Sequence, residues 1–446
     1  MKCEIFLCRD YIELLSRSST LFGDQLFLEN KTEKISFIEF YRNIRSIASG
    51  EKFKSNGSII LNINNQIRFA QAYFAGVITG HLVFLENKGP GIENVVTVNE
   101  EEIQNYLTLP PMNESDIPLQ NPNIPCTVAF SSGTTSKNKG VLLSQRNLLY
   151  DSAFSTENFR FSVGERLIHI LPFHHLFGLV ADLITSLLSG SCMYIVDSPL
   201  LFFRALKYFK PHCVNMPPAL AEAVCNEIEN SGNISSVTGG CLTRVLCAGA
   251  PMKERTFDSL RAYGISPGMA YGLTECSPCI SITKGTDVRY GTSGVPIGCV
   301  DVKIAENGEI LVSGDTLMKG YLDGSEDVNP TDGYFHTGDI GRIDENGHLI
   351  VLGRRNTMLV FSNGKKCIPE MIEEKLNSVG GIEECMLRVT ENGITPEVVA
   401  VTQTKEIPYE QIKSVMKEEG LYPFILKIQN EKLPRNLLGK VIRDGI

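Results

Sequence analysis

No stretch of the 446 residues approaches the ~18 consecutive apolar side chains needed to span a bilayer. The N-terminus, MKCEIFLCRD, also lacks the apolar block of a signal peptide, because Glu4, Arg9 and Asp10 fall where it would lie. A cytoplasmic location is therefore expected. Basic excess is missing too. The formal net charge is −9, which argues against a nucleic-acid partner. It does not argue against a nucleotide, since a local cluster of donors and a metal can hold phosphates on an acidic protein. The thirteen cysteines scatter from Cys3 to Cys385 without the spacing of a disulfide framework, so they read as reduced thiols. Cys276 and Cys279 form one C-x-x-C, but no second pair accompanies them. Two small apolar residues in a loop is the better reading.

What is there describes an ordinary globular chain, 43% hydrophobic and 21% charged, long enough for two or three domains. Short apolar runs alternate with helical patterns through the first 270 or so residues. Ser58–Ile63 reads as a buried strand, Ile67–Ile78 as a helix and His81–Leu85 as a strand. The rhythm recurs at Arg166–Leu171, Leu176–Leu188 and Cys192–Val196, and again at Cys213–Met216, Ala219–Ile228 and Arg244–Ala248. Such alternation predicts an α/β fold of wound βα units, with ligands at the carboxyl ends of parallel strands.

From about residue 285 to 352 the pattern turns β-rich. Asn-Gly pairs at Asn307-Gly308 and Asn346-Gly347 separate alternating runs, as tight antiparallel hairpins require. Two further Asn-Gly pairs follow, at Asn363-Gly364 and Asn392-Gly393. After Gly353 the composition suits a small α+β domain. A helix opens at Pro369 and runs to Val379, two strands follow, another helix lies near Tyr409–Glu419, and a last strand near Phe424–Ile428. The expected organisation is a large domain over residues 1–352 and a small one over 353–446.

The most specific local signal is the run Ser131, Ser132, Gly133, Thr134, Thr135, Ser136, Lys137, Asn138, Lys139, Gly140. Glycine permits close backbone approach, hydroxyls and amides donate to phosphate oxygens, and lysine adds charge. The run cannot be matched to G-x-x-x-x-G-K-[ST], so it is no Walker A loop. Composition alone leaves a solvated Ser/Thr loop equally open.

The longer string FSSGTTSKNKGVLLSQRN resembles the phosphate-binding loop of the adenylate-forming superfamily, which includes acyl- and aryl-CoA synthetases, peptide-synthetase adenylation domains and firefly luciferase. Further resemblances recur in that family's order. Leu171-Pro172-Phe173-His174-His175-Leu176-Phe177-Gly178 resembles LPxFHxxG, and Cys247-Ala248-Gly249-Ala250-Pro251 its GGAP turn. Tyr271-Gly272-Leu273-Thr274-Glu275 is its YGxTE. Gly308-Glu309-Ile310 through Gly320-Tyr321 matches GEI…GY, and Asp332 through Asp339 matches DGxxxTGD. Gly353-Arg354 opens the hinge motif, at 353–357, and Leu433-Pro434-Arg435 with Gly439-Lys440 closes the chain.

The resemblance implies a mobile small domain and a reaction in two halves. ATP and a carboxylic acid give an acyl-adenylate, and coenzyme A takes the acyl group. Loading of an acyl carrier protein's phosphopantetheine is the alternative acceptor, and a non-catalytic nucleotide-binding scaffold the alternative of another class. By the same resemblance Glu275 would hold Mg²⁺ and Thr274 would donate to the α-phosphate. Tyr271 would stack on adenine, Asp339 would accept the ribose hydroxyls with Arg354 beside it, and His175 would shape the carboxylate pocket. Lys440 would bridge the two reacting anions, offsetting their repulsion. A metal site at His174-His175 lacks a further ligand cluster and is the weaker reading. Nothing near Phe173–Gly178 resembles the amino-binding Asp of peptide synthetases, so a fatty or aromatic acid is expected. Departures from the family pattern are Ser136 for Gly, Asn138 for Pro, His174 for an aromatic residue, and Thr357 for the hinge Asp.

Overall fold

The computed structural model describes residues 7–55, 57–86, 95–131, 139–159, 161–325, 333–361, 366–390, 395–402, 406–434 and Val441. Two compact units divide the chain. The first comprises Met1–Asp301 with Val312–Phe335, and the second Val302–Leu311 with His336–Ile446. The segment 285–352 is shared between the units.

The first unit is α/β, as its alternating pattern requires. One six-stranded sheet runs in the spatial order Gly320–Tyr321, Gly140–Ser144, Pro125–Phe130, Leu82–Phe84, Ser58–Asn62, Val95–Asn99. The helix Gln66–Ile78, capped by the Asn65 side chain, is buried on nearly every face, which explains why apolar residues surround it instead of forming a stripe. The antiparallel strands Pro125–Phe130 and Gly140–Ser144 pair on either side of the Ser/Thr-rich run in the sequence.

The second sheet has nine strands, and its inner members are parallel. Their order is Ser266–Gly272, Arg244–Cys247, Cys213–Met216, Arg166–His169, Cys192–Ile195, Leu26–Glu29. The chain leaves Arg166–His169 for a neighbour on one side, Cys192–Ile195, and then returns to pair on the other side at Cys213–Met216. Such a reversal is the topological switch point at which open α/β sheets bind ligands. Several expected elements are shorter than the apolar pattern suggested. The strand begun at Arg166 stops at His169, and the helix from Pro369 stops at Asn377. The helix expected over Leu176–Leu188 is a π-helical segment, Gly178–Ile184, running into an α-helix, Thr185–Ser189.

A four-stranded sheet is built from Val300–Ile304, Glu309–Gly314, Phe335–Ile343 and Leu349–Arg354. Asn307-Gly308 and Asn346-Gly347 sit at its turns, as read from the sequence. A three-stranded sheet of Glu384–Val389, Pro396–Val401 and Ile425–Gln429 packs with helices Pro369–Asn377 and Tyr409–Glu418 around a separate core that includes Ile372, Leu376, Val398 and Ile412. Asn363-Gly364 and Asn392-Gly393 lie outside the described residues.

Candidate active site

Four neighbouring parallel strands end on the same edge of the nine-stranded sheet, and a motif segment follows three of them. Leu171–Gly178 follows Arg166–His169, Gly249-Ala250-Pro251 follows Arg244–Cys247, and Leu273-Thr274-Glu275 follows Ser266–Gly272. This is where the fold itself concentrates chemistry.

The Tyr271–Glu275 segment is shaped by a close approach. A Cβ on Gly272 would stand 1.7 Å from the Pro278 carbonyl oxygen, so only glycine fits there. That carbonyl accepts the Leu273 N–H at 2.9 Å, folding the chain into the short turn Thr274–Cys276. The Glu275 carbonyl in turn accepts the Met318 N–H at 2.9 Å, which ties the turn to the stretch leading into Gly320-Tyr321. Tyr321 then donates its hydroxyl to Glu275 Oε1 at 3.1 Å.

Tyr321 also faces the hairpin. Its strand pairs with Gly140–Ser144, placing Tyr321 opposite Val141. The Lys139 ammonium lies 4.6 Å from the centre of the Tyr321 ring, a cation–π arrangement. Ser131 donates its N–H to the Lys139 carbonyl at 3.0 Å and closes the mouth of the turn. A lysine, a tyrosine and a carboxylate are thus joined at the base of the Ser/Thr-rich run. Ser132, Gly133, Thr134, Thr135 and Ser136 lie outside the described residues, as does Lys440.

His174 and His175 are half-buried, with ring centres 4.7 Å apart. The His175 N–H donates to the Pro172 carbonyl, and its own carbonyl accepts from Leu179 at 3.0 Å, opening the helical segment. Gln66 Oε1 accepts the Phe173 N–H at 2.7 Å. Of the residues expected to wall an acyl pocket, Phe177 is half-buried, while Leu176 and Met216 are sunk into the core.

In the second unit Asp339 and Arg354 are cross-strand partners, with Arg354 Nε 2.9 Å from Asp339 Oδ1. Asp339 is 3% exposed. Glu309 anchors the turn before it. One carboxylate oxygen accepts the Gly338 N–H at 3.0 Å, and the other pairs with Arg355 at 2.9 Å. Thr357, at the hinge position, donates to Glu370 at 3.1 Å and to the Arg354 carbonyl.

Among the described residues no group of three or more His, Cys, Asp or Glu side chains is arranged as a metal cage. Magnesium needs none, since it is commonly held by one or two carboxylates together with substrate phosphates. A single half-buried Glu275 fits that manner of binding. For the C-x-x-C, burial and then the neighbouring Asp151 push the Cys279 thiol well above its ordinary value, so it carries no thiolate for redox chemistry at neutral pH.

The sequence reading missed the position of Tyr321, although the GY pair that contains it was visible as a motif. It also missed Glu309 as an anchor, although the Gly308-Glu309-Ile310 string containing it was visible as a motif. The profile of the AMP-binding enzyme family matches residues 78–322, more than half of the chain. The chain belongs to that family.

Among its relatives, 4-coumarate–CoA ligase 3 of Oryza sativa subsp. japonica is 27% identical over 357 residues, covering 73% of this chain and 64% of the relative. The 2-succinylbenzoate–CoA ligase of Bacillus licheniformis is 25% identical over 484 aligned positions, covering 98% and 99%. The first relatives it matches are covered over only 50% to 64% of their own length. Among solved structures, o-succinylbenzoate CoA synthetase of Bacillus subtilis with its acyl-adenylate intermediate has the same fold. Its TM-score is 0.79 at 21% identity, over 97% of both chains. The same enzyme with ATP and magnesium gives 0.78 over 97% and 98%. Among the described residues no helix is long and apolar enough to cross a membrane.

Proposed function

We propose that this protein activates a carboxylic acid with ATP and transfers the acyl group to coenzyme A. In the first half-reaction a carboxylate oxygen attacks the α-phosphorus in line. The P–O bond to the bridging oxygen breaks, and pyrophosphate leaves with both electrons of that bond. No general base is required, because the acid is already ionised at neutral pH. In the second half-reaction the thiolate of coenzyme A attacks the acyl carbonyl carbon, and AMP departs.

The residues divide the work by position. The Ser/Thr-rich run 131–139, with Lys139, binds the phosphates. Thr274 donates to the α-phosphate, and Tyr271 offers its ring to the adenine. Asp339, steadied by Arg354, accepts the ribose hydroxyls. Glu275, oriented by Tyr321, would hold Mg²⁺, which offsets phosphate charge when bound. The Leu171–Gly178 loop, with His175, forms the acid site beside the switch point. Lys440 bridges the carboxylate and the α-phosphate, and the segment after hinge 353–357 swings it away before the thiol attacks. A fatty or aromatic acid suits the apolar character of the loop.

The observation that carries this reading is the Lys139–Tyr321–Glu275 chain. It joins, through one tyrosine, a cation next to the strand Gly140–Ser144 and a carboxylate in the turn Thr274–Cys276. Pyrophosphate release, followed over acids of graded length and aromaticity with and without coenzyme A, tests it. Acid-dependent release with consumption of the thiol is expected. Release without thiol consumption would move the acceptor to a carrier protein. No release with any acid would reduce the protein to a nucleotide-binding scaffold.

A further inference from the structure

Three buried polar side chains meet at the base of the Leu171–Gly178 loop and take no part in the chemistry above. His169 Nδ1 lies 2.6 Å from one oxygen of Asp182. Asn215 Nδ2 donates to the other oxygen at 2.6 Å and to the Ala181 carbonyl at 3.2 Å. Each of the three residues is 1% exposed. A carboxylate this deep is costly unless it is paired and hydrogen-bonded, and an apolar replacement would often serve stability as well. The cluster therefore invites a reason other than stability.

The packing supplies one. The His169 ring stacks on Phe173, with centres 4.0 Å apart and planes at 22°. Phe173 directly precedes His174 and His175 in the loop. A Cβ on Gly178 would come within 3.1 Å of His169 Cε1 and 2.6 Å of the Leu171 carbonyl oxygen, so the far end of the loop packs without slack against both the imidazole and the loop's start. Asp182 sits in the π-helical segment Gly178–Ile184, where the wider turn re-aims a side chain relative to an α-helix. His169 Nε2 has no hydrogen-bond partner among the described residues, so the ring is held by its Nδ1 bond to Asp182 and by packing on Phe173.

We propose that His169, held by Asp182 and Asn215, is a positioning residue that sets the acid-binding loop. Nδ1–H donates to Asp182, the ring is locked face-on to Phe173, and Phe173 fixes where His174 and His175 stand. This rests on the acid-activating reading of the same loop.

The test uses Asp182→Asn and His169→Gln in the full chain. Asp182→Asn cannot accept both donors, and His169→Gln keeps a donor but loses the stacking ring. In each, KM for the acid should rise about tenfold or more, while KM for ATP and kcat at saturating acid stay within about threefold. Equal effects on both substrates, or an unchanged KM for the acid, would overturn the proposal. So would failure of both variants to fold, which would make the cluster a folding element. Amide hydrogen exchange gives a readout independent of activity. Residues 171–178 should exchange faster in Asp182→Asn, with residues 266–272 unaltered. An inactive wild-type protein would sink the functional reading, whereas unchanged exchange in this loop would sink the positioning role.

Discussion

Tyr321 donates its hydroxyl to Glu275 Oε1 at 3.1 Å while its ring lies under the Lys139 ammonium. One side chain thus orients the carboxylate assigned to the metal and the cation assigned to the phosphates. Tyr321→Phe keeps the ring and removes only the hydroxyl. A hydrogen bond to a charged group contributes about 1.5–3 kcal/mol. KM for MgATP should therefore rise on the order of tenfold, with the magnesium requirement shifted upward. Steady-state rates over a magnesium titration check this.

Gly272→Ala is expected to be far more damaging than its size suggests. The new methyl would overlap the Pro278 carbonyl, which holds the turn carrying Thr274 and Glu275. Pyrophosphate release should fall by two orders of magnitude or more, roughly the effect of ~1 Å misplacement at a reacting centre. The protein should still unfold cooperatively in a thermal scan.

Asp339→Asn addresses the second unit. Losing a buried anionic acceptor should weaken ATP binding on the order of tenfold to a hundredfold. If the carboxylate takes the ribose hydroxyls, the variant should no longer discriminate ATP from 2′,3′-dideoxy-ATP, while the wild type should. Calorimetric titration of both nucleotides gives the comparison.

Asp151 gives a pH dependence. It is 1% exposed, and burial raises its carboxyl well above the ordinary aspartate value of 3.8. Hydrogen bonds from the Cys279 N–H at 2.6 Å and the Ser155 hydroxyl pull the other way without offsetting it. The unfolded chain releases this proton near 3.8, whereas the folded chain keeps it to higher pH. The group's contribution to stability is therefore present below 3.8 and is lost as pH rises through the folded value. Asp151→Asn should melt above the wild type at about pH 7.5, with the gap closing as pH falls towards 3.8. Thermal scans across that range measure it.

Lys440→Ala should abolish adenylation yet spare thioester formation from supplied acyl-adenylate. Equal loss of both half-reactions would contradict a swinging small domain. Single-turnover assays of each half separate the outcomes.

Much of this was legible because local pattern and fold agree. The strand Cys213–Met216 and the helix Gln66–Ile78 follow from apolar runs and helical spacing. The Asn346-Gly347 turn makes Asp339 and Arg354 opposite partners. What escaped was set by long-range pairing. Tyr321 acquires its place only once its short strand joins Gly140–Ser144 from another part of the chain. His169, Asp182 and Asn215 share no spacing that a helix or strand period would reveal. The π-helical segment Gly178–Ile184 differs from an α-helix only in hydrogen bonds that span one residue more, over seven residues, too short a stretch for apolar periodicity to register.

Exchange of labelled pyrophosphate into ATP tests the central chemistry most directly. It requires reversible attack of an acid on the α-phosphorus and nothing from the thiol. Exchange that begins only on adding a suitable carboxylic acid, and proceeds without coenzyme A, is the predicted result. Tight ATP binding with no exchange across the whole acid panel would contradict it.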